Sequence, residues 1–550
     1  MHKLVRFSAL AGTGLAIAAC DSALEVENKN NPDVDRVFEL PATIEQTLGS
    51  GYQQCRNTVT FAGNIFPQMA AMSQESYSQL NNFSMGPVSG IPRVPIQNTR
   101  GANFGLFTEF SQLSRQARTL SKALKALDDL IENSGTLGSP AQNLRARAFG
   151  YFTIGCNLSW LAAIYDSAGI VRPGMPDEET PPLSGYKDVM AAAIQMFDSA
   201  VAIASNSAAG GTGGFPTPTA WLSGTALTRD NFIRFVRSYR ARMRAAVART
   251  PAERAAVDWN AVIADAEAGV TADIMVTIGA SSGWNIGFQS SQMHVDAGWH
   301  QVSPMYFGMA DVSGGYDTYL ATPLGSRAYF LIISPDQRWP QGATRAAQQA
   351  ASPEPANHNG RPYIKNRTAQ DTPGDPWGTS FYSHHRYKYI RNSSQTGSYP
   401  DFLKAEVDLL AAEGYIRTNR FAEAATKIDI SRVGRGGLPA LSGVITSGTD
   451  LVPTSTAGGR DCVPRVPAAP SFTSTVCGTI LEAMKYEKRM ELAFNFLGSW
   501  FFDSRGWGDL IANTALHYPV PYQEMDARLL PFYNLGGGGS SSAPRGTYGF

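Results

Sequence analysis

Segments whose apolar residues recur every three or four positions fill much of this chain. In Phe107 to Glu132 they are Leu113, Ala117, Leu120, Leu124, Leu127 and Leu130, and Ala141 to Tyr165 follows after a Gly, Ser and Pro break. Such spacing lines the side chains along one helical face, so the two segments predict a helical hairpin. Pro41-Ala42-Thr43 opens an earlier helix with Ile44, Leu48 and Tyr52 four apart. Tyr186 to Ser205, Asp230 to Arg249 and Trp259 to Val270 continue the pattern, and their Ala-rich faces permit the close packing of tetratricopeptide-like hairpins. A strict repeat of about 34 residues is not found. Between Thr271 and Pro400 the periodicity fades into Gly, Ser, Pro and aromatic residues, with an alternation at Ala328 to Ile333 that predicts a short strand. The expected fold is mainly α: a tetratricopeptide-like helical-hairpin scaffold carrying a large, loop-rich and aromatic-rich insertion with short strands.

The stretch from Thr479 to Leu510 organises the C-terminal part. Ile480, Ala483, Met484, Glu487, Met490, Leu492, Phe494 and Leu497 fit one broad helical face, with Glu482, Lys485, Lys488 and Arg489 toward the other. From Trp500 onward large aromatics alternate with Asp503 and Arg505, a pair able to make a charge-assisted hydrogen bond at a corner.

Composition removes some classes of function. The 550 residues carry 46 basic and 46 acidic side chains, with no basic run, and neutralising a nucleic-acid backbone needs clustered Lys and Arg. Residues 1–19 have a basic start, Lys3 and Arg6, and an apolar run from Phe7 to Ala19 that is too short to span a bilayer. They end in Ala18-Ala19-Cys20, which looks like a lipobox, so Cys20 is the expected lipidated first residue, and removing the leader takes the net charge from zero to minus two. Residues 20–40 read as a polar tether. Cys55, Cys156, Cys462 and Cys477 remain, an even number in an exported chain. Cys462 with Cys477 is the favoured disulfide, whereas Cys55 and Cys156 either join two helices or stay as buried thiols. No Cys-x-x-Cys and no metal-ligand spacing of the seven histidines is present, so neither metal nor cofactor is expected.

Several motifs, in order, carry a resemblance. Glu487-Lys488-Arg489 with Glu491-Leu492, Phe502-Asp503 and Arg505-Gly506-Trp507-Gly508-Asp509-Leu510 resemble the C-terminal signature of the SusD/RagB family. Lys488 or Arg489 stands in for its Arg, and Asn495-Phe496 replaces its Glu-Gly, so the resemblance is to a divergent member. Leu24-Glu25-Val26 and Asn31-Pro32, Arg145-Ala146, Tyr165-Asp166, Phe402 to Asn419, and Tyr518-Pro519-Val520-Pro521 resemble further family segments in the same order. The resemblance implies one SusD-like domain: a scaffold over 41–270 with ligand-face loops at 61–104, a variable insertion at 271–400, a C-terminal helical part at 401–535, and a flexible Gly/Ser tail at 536–550 whose Tyr548-Gly549-Phe550 either docks or stays loose. It further implies a lipid-anchored protein of the outer membrane, at the cell surface, that binds an oligosaccharide or other nutrient for a SusC-like TonB-dependent barrel.

Catalysis finds no support in the residues. There is no G-x-S-x-G or P-loop, and Asp296, Asp311, Asp317, Asp371 and Asp375 are scattered without the paired arrangement that glycoside hydrolysis needs. Binding asks for less, because sugar rings stack on aromatics and their hydroxyls meet amides and charged groups. Trp284, Trp299 and Trp377 sit on Gly-flanked turns, Tyr382 follows, and Tyr77, Asn81 and Phe83 lie in the loop that the resemblance places at the ligand face. These seven are the expected ligand-binding residues. The competing reading is a structural or adhesive surface lipoprotein on the same scaffold.

Overall fold

The computed structural model describes residues 37–60, 65–100, 105–176, 178–284, 301–368, 375–454, 459–495, 498–533 and 547–550. Cys20, the leader and most of the tether fall outside this set, as does Trp299. The N-terminal helices are α1 (Pro41–Thr60), α2 (Ile65–Met72), α3 (Phe107–Glu132), α4 (Pro140–Ile164), α5 (Tyr186–Ser205), α6 (Arg229–Ala246) and α7 (Trp259–Glu267). The C-terminal helices are α8 (Lys404–Arg417), α9 (Phe421–Arg432), α10 (Ile480–Leu492) and α11 (Ser499–Trp507). Most of the scaffold helices pack on a neighbour in sequence: α3 on α4, α4 on α5, α5 on α6, α6 on α7, and α8 on both α7 and α9, while α1 packs on α3 and α4.

Local chemistry sets the helix starts. Ser139 accepts the Gln142 amide with Pro140 at the first position of α4, Thr228 accepts from Asn231 before α6, and Asp258 from Ala261 before α7. On α3 the buried side chains include Leu113, Ala117, Leu120, Leu124 and Leu127, the predicted face. Helix α4 is buried on nearly every side because α1, α3, α5 and α6 all pack against it. Gly150 makes that crowding possible, since a Cβ there would lie 2.8 Å from a Leu48 methyl and 2.9 Å from one of Leu124.

The strands are short and pair antiparallel in twos: β1 (Ser167–Gly169) with β2 (Leu183–Gly185), β3 (Ile274–Ile278) with β6 (Gly397–Phe402), β4 (Ile364–Asn366) with β5 (Tyr382–His384), and β7 (Arg465–Pro467) with β8 (Thr475–Cys477). The β3–β6 ribbon, with Val276 opposite Tyr399, joins the two ends of the 271–400 insertion. The strand expected at Ala328 to Ile333 does not form. There the backbone is held instead by single contacts, such as the Ile333 amide on the Asp311 carboxylate.

Two apolar clusters share the interior. One runs through the scaffold, and the other gathers the insertion around Tyr306, Phe307, Trp339 and Tyr382. Helices α10 and α11 contribute to both: Ile480, Met484, Phe501 and Phe502 to the first, Tyr486, Met490 and Trp500 to the second. The stretch is therefore a wedge between two cores, and this corrects the one-sided helix expected from periodicity. Lys485, Lys488 and Arg489, expected on an outward face, are buried.

Buried charge is tolerated only when it is paired and hydrogen-bonded, and the charges on α10 pair either with the insertion or with the end of the wedge itself. Glu487 and Glu491 accept from Arg338 of the insertion at 2.7 and 3.2 Å, and Arg386 adds a contact to Glu491 at 3.1 Å. Lys488 meets Asp503 at 2.9 Å, and Asp503 meets Arg254 of the scaffold, also at 2.9 Å. Lys485 and Arg489 both bind Asp509, at 3.1 and 2.6 Å. The expected Asp503–Arg505 pair is not made: Arg505 donates instead to the Ala163 and Ala246 carbonyls, at the C-terminal ends of α4 and α6. A guanidinium there compensates the negative ends of two helix dipoles.

Cys462 and Cys477 form a disulfide across the base of the β7–β8 hairpin, with an S–S distance of 2.03 Å. Cys55 and Cys156 are both buried free thiols, so the second candidate bridge is not made. The end of the chain also departs from a wholly loose tail. Tyr548 is buried and donates to Glu482, the Thr547 amide donates to Gly508, and the Phe550 carbonyl accepts from Ala512.

Candidate functional site

The loop after α2 is where the expected ligand face begins, and the fold fixes it from two sides. Gln74 accepts from Ser303 of the insertion at 2.8 Å, and Glu75 accepts the Phe494 amide at the end of the wedge at 2.7 Å. Tyr77 pairs with Gln301 through both backbone hydrogen bonds, each 2.9 Å. The Tyr77 hydroxyl accepts from the Asp375 amide at 2.9 Å and donates to its carboxylate at 3.2 Å. Burial, together with that carboxylate, pushes the hydroxyl well above the usual tyrosine range. Trp377 meets Tyr77 edge-on with centroids 5.0 Å apart, and the Trp377 carbonyl accepts the Tyr319 hydroxyl at 2.6 Å.

These contacts alter the reading of the seven candidates. Tyr77, Trp284, Trp377 and Tyr382 are each no more than 3% exposed, so they are interior side chains and not open stacking surfaces. Tyr77, Trp377 and Tyr382 do come together, in the insertion's apolar cluster. The Tyr382 ring packs edge-on against Trp339 at 5.3 Å, and its hydroxyl accepts from the Ile332 amide at 3.0 Å and donates to Gln348 at 2.7 Å. Burial takes that hydroxyl up to about 12. Trp284 lies apart in the scaffold cluster, 6.1 Å from the Tyr52 ring and under the Arg56 guanidinium. Trp284 and Trp377 share a physical reason: a large ring on a Gly-flanked turn gains more by folding back on the body than by remaining in water. Asn81 is exposed, and Phe83 is half-buried in a turn with a left-handed backbone, φ 53°.

One aromatic that the sequence pattern hid stays open. Tyr329 is 43% exposed, more than any other described aromatic of the insertion, and it sits within the alternation that predicted a strand. Its ring meets Phe381 edge-on at 4.2 Å. No signal in the sequence separates it from its buried neighbours. Clefts on the scaffold include one of about 650 Å³ between Phe38, Lys122, Lys125 and Met175, and one of about 340 Å³ between Tyr186, Met190, Arg244 and Val257.

Of the five scattered acids, Asp296 and Asp371 lie outside the described residues, and the other three are occupied. Asp311 accepts the amides of Gly314, Tyr316 and Ile333, Asp317 pairs with Arg460 and the Thr475 amide, and Asp375 holds Tyr77. Among the described residues no group of three His, Cys, Asp or Glu is arranged to hold a metal ion.

Glu109 is a titratable group of a different kind. Fully buried, it accepts the Ile65 amide at the start of α2 with one oxygen, while the other has no partner. Burial raises its pKa to about 7, only partly opposed by the Ile65 hydrogen bond, with the Tyr165 and Tyr518 hydroxyls nearby. Its folded pKa lies above the unfolded one, so the stability that it contributes is full below the ordinary carboxylate range and is lost as pH rises through about 7. Glu109→Gln, which keeps the Ile65 contact, is expected to stabilise the protein by about 1–2 kcal/mol at pH 8 and to have little effect at pH 5. Urea unfolding of both proteins at the two pH values measures this, and equal differences at both would count against it.

No family model and no curated protein matches the chain. Solved structures do. A SusD superfamily protein from Bacteroides thetaiotaomicron VPI-5482 is similar at a TM-score of 0.52 and 12% identity, over 89% of this chain and 97% of that one. A candidate sugar-binding protein from Bacteroides vulgatus ATCC 8482 is similar at a TM-score of 0.51 and 10% identity, again over 89% and 97%. The chain therefore has a SusD-like fold.

Proposed function

We propose that this protein is a non-catalytic glycan-binding lipoprotein of the outer membrane, anchored through Cys20, that presents an oligosaccharide to a SusC-like TonB-dependent barrel. The observation that carries the reading is the SusD-type fold, similar over 89% of this chain and nearly the whole of each compared structure, one of them described as sugar-binding. The Ala18-Ala19-Cys20 end of the leader supports the anchor. The occupation of Asp311, Asp317 and Asp375 by structural hydrogen bonds supports binding without turnover, because none of the three is left as a free acid or base.

A mild-detergent pull-down of the tagged protein from its native membrane tests the partnership. A stoichiometric TonB-dependent barrel in the eluate is expected. Recovery of the protein alone, or in a surface lattice, would overturn the transport reading in favour of a structural lipoprotein. Metabolic labelling with a fatty-acid analogue, lost in Cys20→Ser, checks the anchor independently.

A further inference from the structure

We infer that Tyr329, Phe381 and Arg345 form a subsite for an acidic sugar residue, a uronate within an oligosaccharide. This rests on the glycan reading above and adds to it both the place and the charge of the ligand. Tyr329 exposes its ring while Phe381, edge-on to it at 4.2 Å and 82°, restricts the ring's orientation. An exposed aromatic whose orientation is already fixed loses little conformational entropy when a sugar's C–H face covers it. Next to it, the Arg345 guanidinium lies 3.4 Å from the centroid of Phe381, a cation held on an aromatic face.

The hydrogen bonds of Arg345 define what it can still do. Its Nη2 donates to the carbonyls of Arg367 and Thr368 at 2.7 and 2.8 Å, which fixes the plane of the group. Its Nε is buried with no partner, and among the described residues no carboxylate pairs with it. Arg327, two residues before Tyr329, also spends its donors on carbonyls, those of Thr322 and Leu320 at 3.0 and 3.3 Å. Most buried arginines of this protein meet an acid, as Arg338, Arg386, Arg254 and Arg242 do. Among the described residues, the positive charge beside the platform meets carbonyls and no acid. A carboxylate presented by a ligand stacked on Tyr329 supplies that compensation, and a guanidinium already held in place favours its planar geometry.

Binding of the detergent-solubilised full chain to polygalacturonate and alginate, with dextran and galactomannan as neutral probes, tests the inference at low and high salt. Binding to at least one acidic polymer, weakened by salt, is expected, with Tyr329→Ala reducing affinity on the order of tenfold and Tyr329→Phe retaining it. Arg345→Gln should remove the salt-sensitive part and the preference over neutral probes, with the melting temperature of each variant showing that the fold is intact. Binding to neutral polymers alone, or acidic binding that Tyr329→Ala leaves unchanged, would overturn the subsite while leaving the glycan reading standing. Binding to none of the four, where the barrel is nevertheless pulled down, would overturn a glycan cargo and the subsite with it.

Discussion

Replacing Arg338 with methionine is expected to cost about 3–5 kcal/mol of folding stability, the usual penalty for removing one partner of a buried ion pair. Arg338 lies between Asp336 at 2.8 Å, Glu487 at 2.7 Å and Glu491 at 3.2 Å, all fully buried, with the Ser431 hydroxyl at 3.1 Å. Methionine keeps the aliphatic stem and removes only the charge and its donors. Glu491 then keeps Arg386, while Glu487 and Asp336 face Arg432 at longer range, without the group that binds the three together. The cluster is already short of positive charge. Burial holds Glu487 above the usual carboxylate range despite Arg338, whereas Arg386 and Arg338 hold Glu491 below it against the same burial. Adding Glu487→Gln to Arg338→Met should therefore recover part of the loss, since it removes the carboxylate that is least willing to ionise. Urea unfolding of the wild type, both single variants and the double variant measures the cycle. A methionine variant within about 1 kcal/mol of wild type would show that this cluster does not hold the insertion to the wedge. Hydrogen exchange adds a spatial check: protection should fall first in residues 301–368, which Arg338 ties to α10.

Much of the scaffold was legible in the sequence because helices such as α3 and α5 bury one face each. Tyr186–Ser205 and Phe107–Glu132 begin and end where periodicity predicts, and the cap before α7 is the Asp258 that precedes its first apolar residue. Periodicity fails on α10 for a physical reason. It records how polar a side chain is and cannot register that Lys488, Arg489 and Glu491 meet opposite charges from residues 386, 503 and 509. A charged residue whose partner lies outside its own helix reads as a solvated one. The favoured disulfide, Cys462–Cys477, was legible because the two cysteines close a short loop, a local property. Whether Cys55 meets Cys156 depends on how α1 packs on α4, which is not local.

The candidate site was less legible, and Tyr77, Trp377 and Tyr329 show why. Gly-flanked aromatics mark tight turns, and tight turns can aim a ring either way. Trp377 turns inward onto Tyr77, and Gly378 allows the approach, since a Cβ there would lie 2.5 Å from the Tyr77 ring. Tyr329 has no glycine beside it and stays outside, edge-on against Phe381. Which ring of a loop is buried depends on what distant segments pack against it, and only the folded chain records that.

The second cluster on the wedge ties it to the scaffold, and Glu413→Gln tests it through pH. Glu413 receives Arg254 Nε at 2.9 Å and the Trp507 indole at 2.9 Å, while Arg254 also binds Asp503. Burial alone would raise Glu413, but the charge and hydrogen bonds of Arg254, with Lys488 and Arg417 behind, hold it down to about 2. A carboxyl whose folded pKa lies below its unfolded value contributes stability that is present above the unfolded pKa and is lost as pH falls through the folded one. At about 1.4 kcal/mol per unit, the fall from 4.5 to about 2 gives a contribution of about 3 kcal/mol at pH 7. Glu413→Gln keeps the shape and the Trp507 contact and removes the charge, so it should cost about that much at neutral pH. The difference between the two proteins should hold from pH 7 to about 5 and then narrow toward zero near pH 2, where the wild-type carboxyl is itself protonated. Urea unfolding at pH 7, 5 and 3 follows that narrowing. A gap that stays constant as the pH falls would mean that the glutamine acts through packing, and that the ion pair with Arg254 contributes little to joining the wedge and the scaffold.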